Sequence, residues 1–141
     1  MKMKLLYSAL LALFLISPQA QAKLNIFACE PEWQALAQAI GGDKVKVTSA
    51  TAAFQDPHHI EARPSLIAQT RRADLIICTG SDLEIGWLPL LLRQSGNKRV
   101  QVGQPGYFMA SEQVERIEVP ENMDRSMGDI HAGGNPHVHL D

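Results

Sequence analysis

Short apolar runs alternate with segments of helical spacing along most of the chain, and this alternation most constrains the fold. The runs LNIFAC (24–29) and ADLIIC (73–78) are short, bounded by turn residues and apolar enough for buried strands. Segments of helical spacing begin at Pro31 and Pro64, and proline is common in a first helical turn. Strands separated by helices predict right-handed βαβ units. We therefore expect an α/β fold in which helices flank a parallel sheet.

Three further segments carry expectations about element boundaries. The alternating run KVKVTSA (44–50) predicts a strand between the first two helices. Segment 81–96 is expected to be helical in part, with Ser81 or Asp82 available as its N-cap. The run KRVQVGQP (98–105) is expected to be a short strand and its exit.

Residues 1–22 have the three-part pattern of a secretory signal. Two lysines precede an apolar run from Leu5 to Ile16, and the small-residue triplet AQA ends at Ala22. A membrane anchor is the alternative, but the run is shorter than the about 20 residues that a spanning helix needs. We expect cleavage after Ala22, export to the periplasm and one mature domain over residues 23–141.

The charge of the expected mature chain argues against a nucleic-acid-binding protein. Removal of the signal leaves 11 basic and 15 acidic residues, a net charge of −4 with neutral histidines. A phosphate-binding surface needs clustered lysine and arginine, and here the basic residues pair only at Arg71-Arg72 and Lys98-Arg99. We expect no nucleic-acid partner.

The two cysteines each end an apolar run, Cys29 the first and Cys78 the later one. If both runs are parallel strands, the sulfurs lie at the same edge of the sheet. An oxidising compartment favours a disulfide, whereas free cysteine is commonly buried without a partner. A third hypothesis is a nucleophilic thiol at Cys29, because Glu30-Pro31 predicts a helix N-terminus that would lower its pKa.

All five histidines fall in two regions of the sequence, each of which contains a Pro-His step. His58 and His59 follow Asp56-Pro57, and the later group is His131, His137 and His139. The first loop follows a predicted strand, and ligands of open parallel sheets bind beyond the carboxyl ends of the strands. Neutral imidazole suits divalent transition metals, so the grouping predicts a shared metal site. Glu61, three residues beyond His58, is a candidate to orient that histidine from outside the ligand set.

Three segments of the mature chain resemble the ZnuA/TroA-like family of periplasmic zinc- and manganese-binding proteins that supply ATP-binding-cassette importers. They are DPHHIE (56–61), ADLIICTGSDLEIGWLP (73–89) and GNPHVHLD (134–141). The resemblance implies that the histidine after each proline, His58 and His137, is a metal ligand.

The same resemblance ranks the remaining histidines lower. His59 falls at a position that varies in the family, and His139 stands where the family often has an aromatic residue. His131 precedes the second ligand loop, where zinc-binding relatives can carry a histidine-rich segment that collects metal. We expect all three to be secondary.

The resemblance also implies a two-lobed protein in which one long helix joins the lobes and the metal lies between them. This sequence matches the amino-terminal lobe, and the joining helix and second lobe do not follow, so we expect a fragment of a longer protein, with a degenerate product that has no transport role as the alternative. The implied function is binding of zinc, or alternatively manganese, and its delivery to an inner-membrane permease. We expect a monomer without catalytic residues.

Two other functions fit the histidine pattern. A secreted zinc hydrolase would use an open metal position and a base, for which Glu61 is the nearby candidate. A stand-alone periplasmic metal chaperone or buffer would use the half-site directly or pair two chains.

Overall fold

The computed structural model describes residues 22–124, 126 and 130–140. The expected signal peptide lies outside the described residues except for Ala22, and the predicted domain boundary at Asp141 also lies outside them. Within the described part of the chain, no helix is both long and apolar enough to cross a membrane.

Four parallel strands form one sheet, with the spatial order β2-β1-β3-β4. The strands are β1 (Leu24–Ala28), β2 (Val45–Ser49), β3 (Leu75–Cys78) and β4 (Tyr107–Met109). The expected α/β fold with a parallel sheet is confirmed.

Three α-helices connect the strands, and each has a proline in its first turn. They are α1 (Pro31–Gly41), α2 (Pro64–Arg72) and α3 (Leu88–Ser95). Short 3-10 helices lie at Gly42–Lys44, Lys98–Val100, Ala110–Glu112 and Val138–Leu140. Helix and strand starts at Pro31, Val45 and Pro64 agree with the sequence-based expectations.

The helices cover both faces of the sheet, which explains why its strands are apolar on both sides. Phe27 of β1 belongs to the larger core cluster, together with Leu66 of α2 and Leu91 of α3. Its neighbour Ile26 belongs to a second cluster with Ala37 of α1. Successive residues of one strand thus enter opposite core layers.

Two expected boundaries were wrong. The run 98–105 is not a strand, because Asn97 caps a 3-10 helix by accepting a hydrogen bond from the Arg99 amide, and β4 begins only at Tyr107. The helix in segment 81–96 begins at Leu88 rather than after Ser81 or Asp82. Both of those residues have positive φ, 51° and 66°, in a turn that precedes the helix.

The strand order places a crevice between β1 and β3. The chain passes from β1 to β2 on one side and then crosses back to β3 on the other side of β1. Open α/β sheets bind ligands at such a switch point, beyond the carboxyl ends of the strands. Glu30, just after β1, and Thr79, just after β3, mark this position.

Candidate metal centre

The two histidine regions meet at this crevice. His58, His131 and His137 line one cavity of about 660 Å³, whose other walls come from residues 118–120 and the 130–136 segment. A second cavity of about 310 Å³ shares these three histidines and adds Glu30, Thr79 and His139. The structure therefore brings together residues that are 73 or more positions apart in the sequence.

His58 and His137 are held by the same local geometry. Asp56 Oδ1 accepts hydrogen bonds from the backbone N–H of His58 at 2.9 Å and from its Nδ1 at 2.7 Å. Asn135 Oδ1 accepts from the backbone N–H of His137 at 2.9 Å and from its Nδ1 at 2.8 Å. Each Asx-Pro-His turn therefore places the ring proton on Nδ1 and leaves Nε2 as the nitrogen with a lone pair.

Separate contacts orient the two Asx-Pro-His turns. Trp87, which is buried, donates from Nε1 to the Pro57 carbonyl at 2.8 Å and so holds the first turn. Asn135 Nδ2 donates to Glu118 Oε2 at 2.8 Å, which directs the amide oxygen toward His137. Both imidazoles are thus fixed by contacts to residues other than histidine.

His131 contacts His58 directly. Their Nε2 atoms lie 3.1 Å apart, and the rings stack at 25° with centroids separated by 5.0 Å. Because Asp56 fixes the proton of His58 on Nδ1, the His58 Nε2 accepts the hydrogen bond that His131 Nε2 donates. This pairing was not expected from the sequence, where His137 was the predicted partner of His58.

His59 and His139 lie at the edge of this arrangement. The His59 side chain is 83% exposed, and its Nδ1 contacts Asp56 Oδ2 at 2.9 Å. His139 packs edge-on against Trp33, and its Nδ1 lies 3.7 Å from Glu32 Oε1.

Asp56 and His131, rather than Glu61, contact the ring of His58. Both ring nitrogens of His58 contact other residues, Nδ1 with Asp56 and Nε2 with His131. Glu61 is exposed. The sequence signal for the residue that contacts Nδ1 is the Asx-Pro-His spacing, which occurs in both histidine regions, with Asp56 in the first and Asn135 in the second.

A pair of buried carboxyl groups lies at the carboxyl ends of β1 and β3. Glu84 accepts hydrogen bonds from the backbone N–H groups of Thr79 at 2.8 Å and Gly80 at 3.0 Å. Thr79 Oγ1 accepts from Trp33 Nε1 at 2.8 Å and donates to Glu30 Oε2 at 3.1 Å. Sequence reasoning missed both glutamates, because their burial depends on contacts between distant strand ends.

Both buried glutamates have raised pKa values. Burial, with the neighbouring Glu84, raises the pKa of Glu30 to about 9. Burial also raises the pKa of Glu84, while the two backbone amides favour its ionised form. Glu30 is therefore protonated at neutral pH.

Cys29 and Cys78 form a disulfide that joins the ends of β1 and β3, with Cα atoms 4.8 Å apart. Both residues are fully buried. Within the described part of the chain, one group of three metal-ligating side chains has its ligand atoms within 4.8 Å of one another: Cys29, Cys78 and Glu84. The two sulfurs of this group are already bonded to each other. His137 shares the cavity of His58 and His131 without joining them in such a group.

Fold and geometry together define a class of protein: an α/β lobe that presents fixed imidazoles at the switch point of a parallel sheet. The chain belongs to the family described as zinc-uptake complex component A, periplasmic (ZnuA), whose model matches residues 26–141. The resemblance to the ZnuA/TroA-like family is thereby confirmed.

Curated relatives include substrate-binding lipoproteins of metal importers. The chain is 30% identical over 116 residues to the manganese ABC transporter substrate-binding lipoprotein scaA of Streptococcus gordonii, covering 80% of this chain and 36% of that protein. It is 28% identical over 142 residues to the iron ABC transporter substrate-binding lipoprotein MtsA of Streptococcus pyogenes serotype M6, covering 93% and 44%. The chain thus spans less than half the length of these relatives.

Solved structures with the same fold include a crystal structure of ZnuA, with a TM-score of 0.60 and 22% identity over 84% of this chain and 42% of that chain. A manganese-bound periplasmic metal-binding protein from Candidatus Liberibacter asiaticus gives a TM-score of 0.59 and 23% identity, over 82% and 38%. At this identity the likeness establishes the fold alone.

Proposed function

We propose that this chain is the metal-binding lobe of a substrate-binding protein that captures a divalent transition metal outside the cytoplasm for an ABC-type importer. The observation that carries the proposal is the repeated Asx-Pro-His turn. Two separate segments each fix a histidine with its proton on Nδ1, and both rings line one cavity at the switch point of the sheet. His58 and His137 are the proposed ligands.

Zinc is the proposed cargo. The proposed ligands are neutral imidazoles, which suit zinc, whereas manganese prefers carboxylate, carbonyl and water oxygens. The family description refers to zinc uptake, while two of the curated relatives are described as manganese and iron proteins. The imidazole donors therefore favour zinc in this proposal, with manganese as the second candidate.

The mechanism is ligand exchange without catalysis. Zinc exchanges bound water for the Nε2 atoms of the fixed imidazoles, and protonation of these nitrogens at lower pH releases it. Glu61, the base that a zinc hydrolase would use, is exposed, and Asp56 rather than Glu61 contacts His58, which supports the transport proposal over the hydrolase. We propose export by the segment 1–22, delivery to a membrane permease and a monomeric state.

Alanine substitutions with titration calorimetry test the proposed ligands. His58→Ala and His137→Ala should each weaken zinc binding by more than about 100-fold, above the loss caused by removing an outer-shell partner. His59→Ala is the matched control, because its side chain is exposed and adjoins the same loop. Equal losses for all three variants, or no loss for any, would overturn the assignment.

A further inference from the structure

The contact between His58 and His131 has the geometry of two ligands on one metal ion. Zinc binds imidazole nitrogen at about 2.0–2.1 Å in a tetrahedral arrangement, which separates neighbouring ligand nitrogens by about 3.3 Å. The observed separation of the two Nε2 atoms is 3.1 Å. A small shift of either ring would therefore accommodate zinc bound to both nitrogens.

His131 is held in this position by a turn that is anchored to the body of the lobe. The Gly133 N–H donates to Asp82 Oδ2 at 3.1 Å, and Ser81 Oγ donates to the Gly133 carbonyl at 3.2 Å. A Cβ atom at position 133 would lie 2.6 Å from the Ser81 Cα, so the close approach requires glycine. The Gly134 N–H closes the turn onto the His131 carbonyl at 3.0 Å.

We propose that His131 is a metal ligand of this lobe, paired with His58. His137 lines the same cavity, but its ring nitrogens do not lie within 4.8 Å of both partners, so it would move inward to complete a set of three imidazoles. This inference rests on the proposed function. The hydrogen bond from His131 Nε2 to His58 Nε2 is replaced by two bonds from these nitrogens to the metal. The proton leaves His131 Nε2 for solvent and another is taken up at Nδ1, so the ring stays neutral.

A set of three imidazoles has a consequence for the function of the lobe. Catalytic zinc sites commonly use three protein ligands and leave the fourth position to water or another group. The lobe would then hold zinc by itself, with one coordination position open. A lobe with only His58 and His137 would have two positions open and would bind zinc less selectively.

Zinc titration of the full chain with nitrogen-15 labelled histidines tests this directly. In nuclear magnetic resonance spectra, the Nε2 resonances of His58, His131 and His137 should all shift on zinc binding, while those of His59 and His139 should not. This measurement needs no substitution, so it does not depend on the folding of a variant. An unshifted His131 in a zinc-saturated protein would overturn the inference.

Calorimetry of two matched variants provides the second measurement. His131→Ala should weaken zinc binding by more than about 100-fold, whereas His59→Ala, whose side chain is 83% exposed, should leave it within about threefold. If His58→Ala and His137→Ala weaken binding but His131→Ala behaves like His59→Ala, only the present inference fails. If none of the variants weakens binding, the proposed function fails as well.

Discussion

Asp56 and Asn135 each orient a histidine through the same hydrogen bonds, although Asp56 is charged and Asn135 is neutral. Each uses one side-chain oxygen to accept from the backbone N–H and the Nδ1 of the histidine two residues later. Hydrogen bonds from His59 and then His58 hold the pKa of Asp56 well below its usual range, so this carboxylate stays ionised across the neutral range. A carboxylate accepts more strongly than an amide oxygen, and so polarises its imidazole more.

Substitution of Asp56 should separate the orienting hydrogen bonds from the charge. Asp56→Ala removes both hydrogen bonds to His58, and outer-shell losses of this kind typically lower metal affinity about 10–100-fold. Asp56→Asn should lose less, because Asn135 makes the same two hydrogen bonds with an amide oxygen. Calorimetry gives the affinities, and circular dichroism checks that both variants fold. An asparagine variant as weak as the alanine variant would show that charge, rather than orientation, is what Asp56 contributes.

At the scale of elements, the ends of β1 and β3 form one buried polar group. The Cys29–Cys78 disulfide joins the strand ends, and Glu30 and Glu84 lie directly beyond them. Thr79 links the two glutamates, because its hydroxyl donates to Glu30 and its backbone N–H donates to Glu84. A buried like-charge pair is costly when both members ionise, so the proton on Glu30 is part of the folded structure.

Glu30 should make stability fall as the pH rises. Its pKa is about 4.5 when unfolded and about 9 when folded, so the folded chain binds one more proton between these values. The stabilisation is complete below about pH 4.5 and is lost as the pH rises toward about 9, at up to about 1.4 kcal/mol per pH unit. Glu30→Gln, which imitates the protonated acid, should flatten this slope in urea unfolding measured from pH 5 to 9.

Glu32→Gln is the control for the Glu30 experiment. Glu32 lies on the same first turn of α1, and its side chain is 35% exposed. This variant should keep most of the wild-type slope, because Glu32 is the smallest of the contributions that raise the pKa of Glu30. A Glu30→Gln variant with an unchanged slope would mean that Glu30 is already ionised in the folded protein at neutral pH.

The elements that the sequence predicted correctly are those whose signals are local. Apolar runs and first-turn prolines located β1, α1, β2, α2 and β3, because burial pattern and backbone restriction act within a few residues. Ser81 and Asp82 could not be placed in the same way. Their positive φ values belong to a turn in which Glu84 folds back onto the amides of Thr79 and Gly80, and no local propensity predicts that contact.

In the candidate site, as in the fold, the sequence indicated the residues with local signals but not the long-range contact. The Asx-Pro-His spacing and the family resemblance both indicated His58 and His137, and the structure places both beside one cavity. The contact between His131 and His58 spans 73 positions and depends on the turn that anchors Gly133 to Ser81 and Asp82. Long-range packing of this kind has no signature in a single sequence.

At the scale of the whole molecule, the site brings together the loop that carries His58 and the segment that carries His131 and His137, and each of these is held by its own contacts. The loop that carries His58 is fixed to α3 through the hydrogen bond from Trp87 to Pro57. The segment that carries His131 and His137 contacts the lobe through the turn at residues 81–82 and through the strip at residues 117–118. A metal bound to histidines of both parts links them, so metal binding should stabilise the lobe as a whole.

Zinc should therefore raise the free energy of unfolding of the full chain, by about 2.7 kcal/mol at a free zinc concentration 100 times the dissociation constant.

If each chain binds its own ion, this increase is independent of protein concentration. If two chains share an ion, it grows as the protein concentration rises, because dimer formation then contributes. Urea unfolding at fixed free zinc, at two protein concentrations differing about 30-fold, distinguishes the two cases. The proposed monomeric site requires coincident curves and no zinc effect in His58→Ala, and a concentration-dependent increase would favour a shared site between two chains.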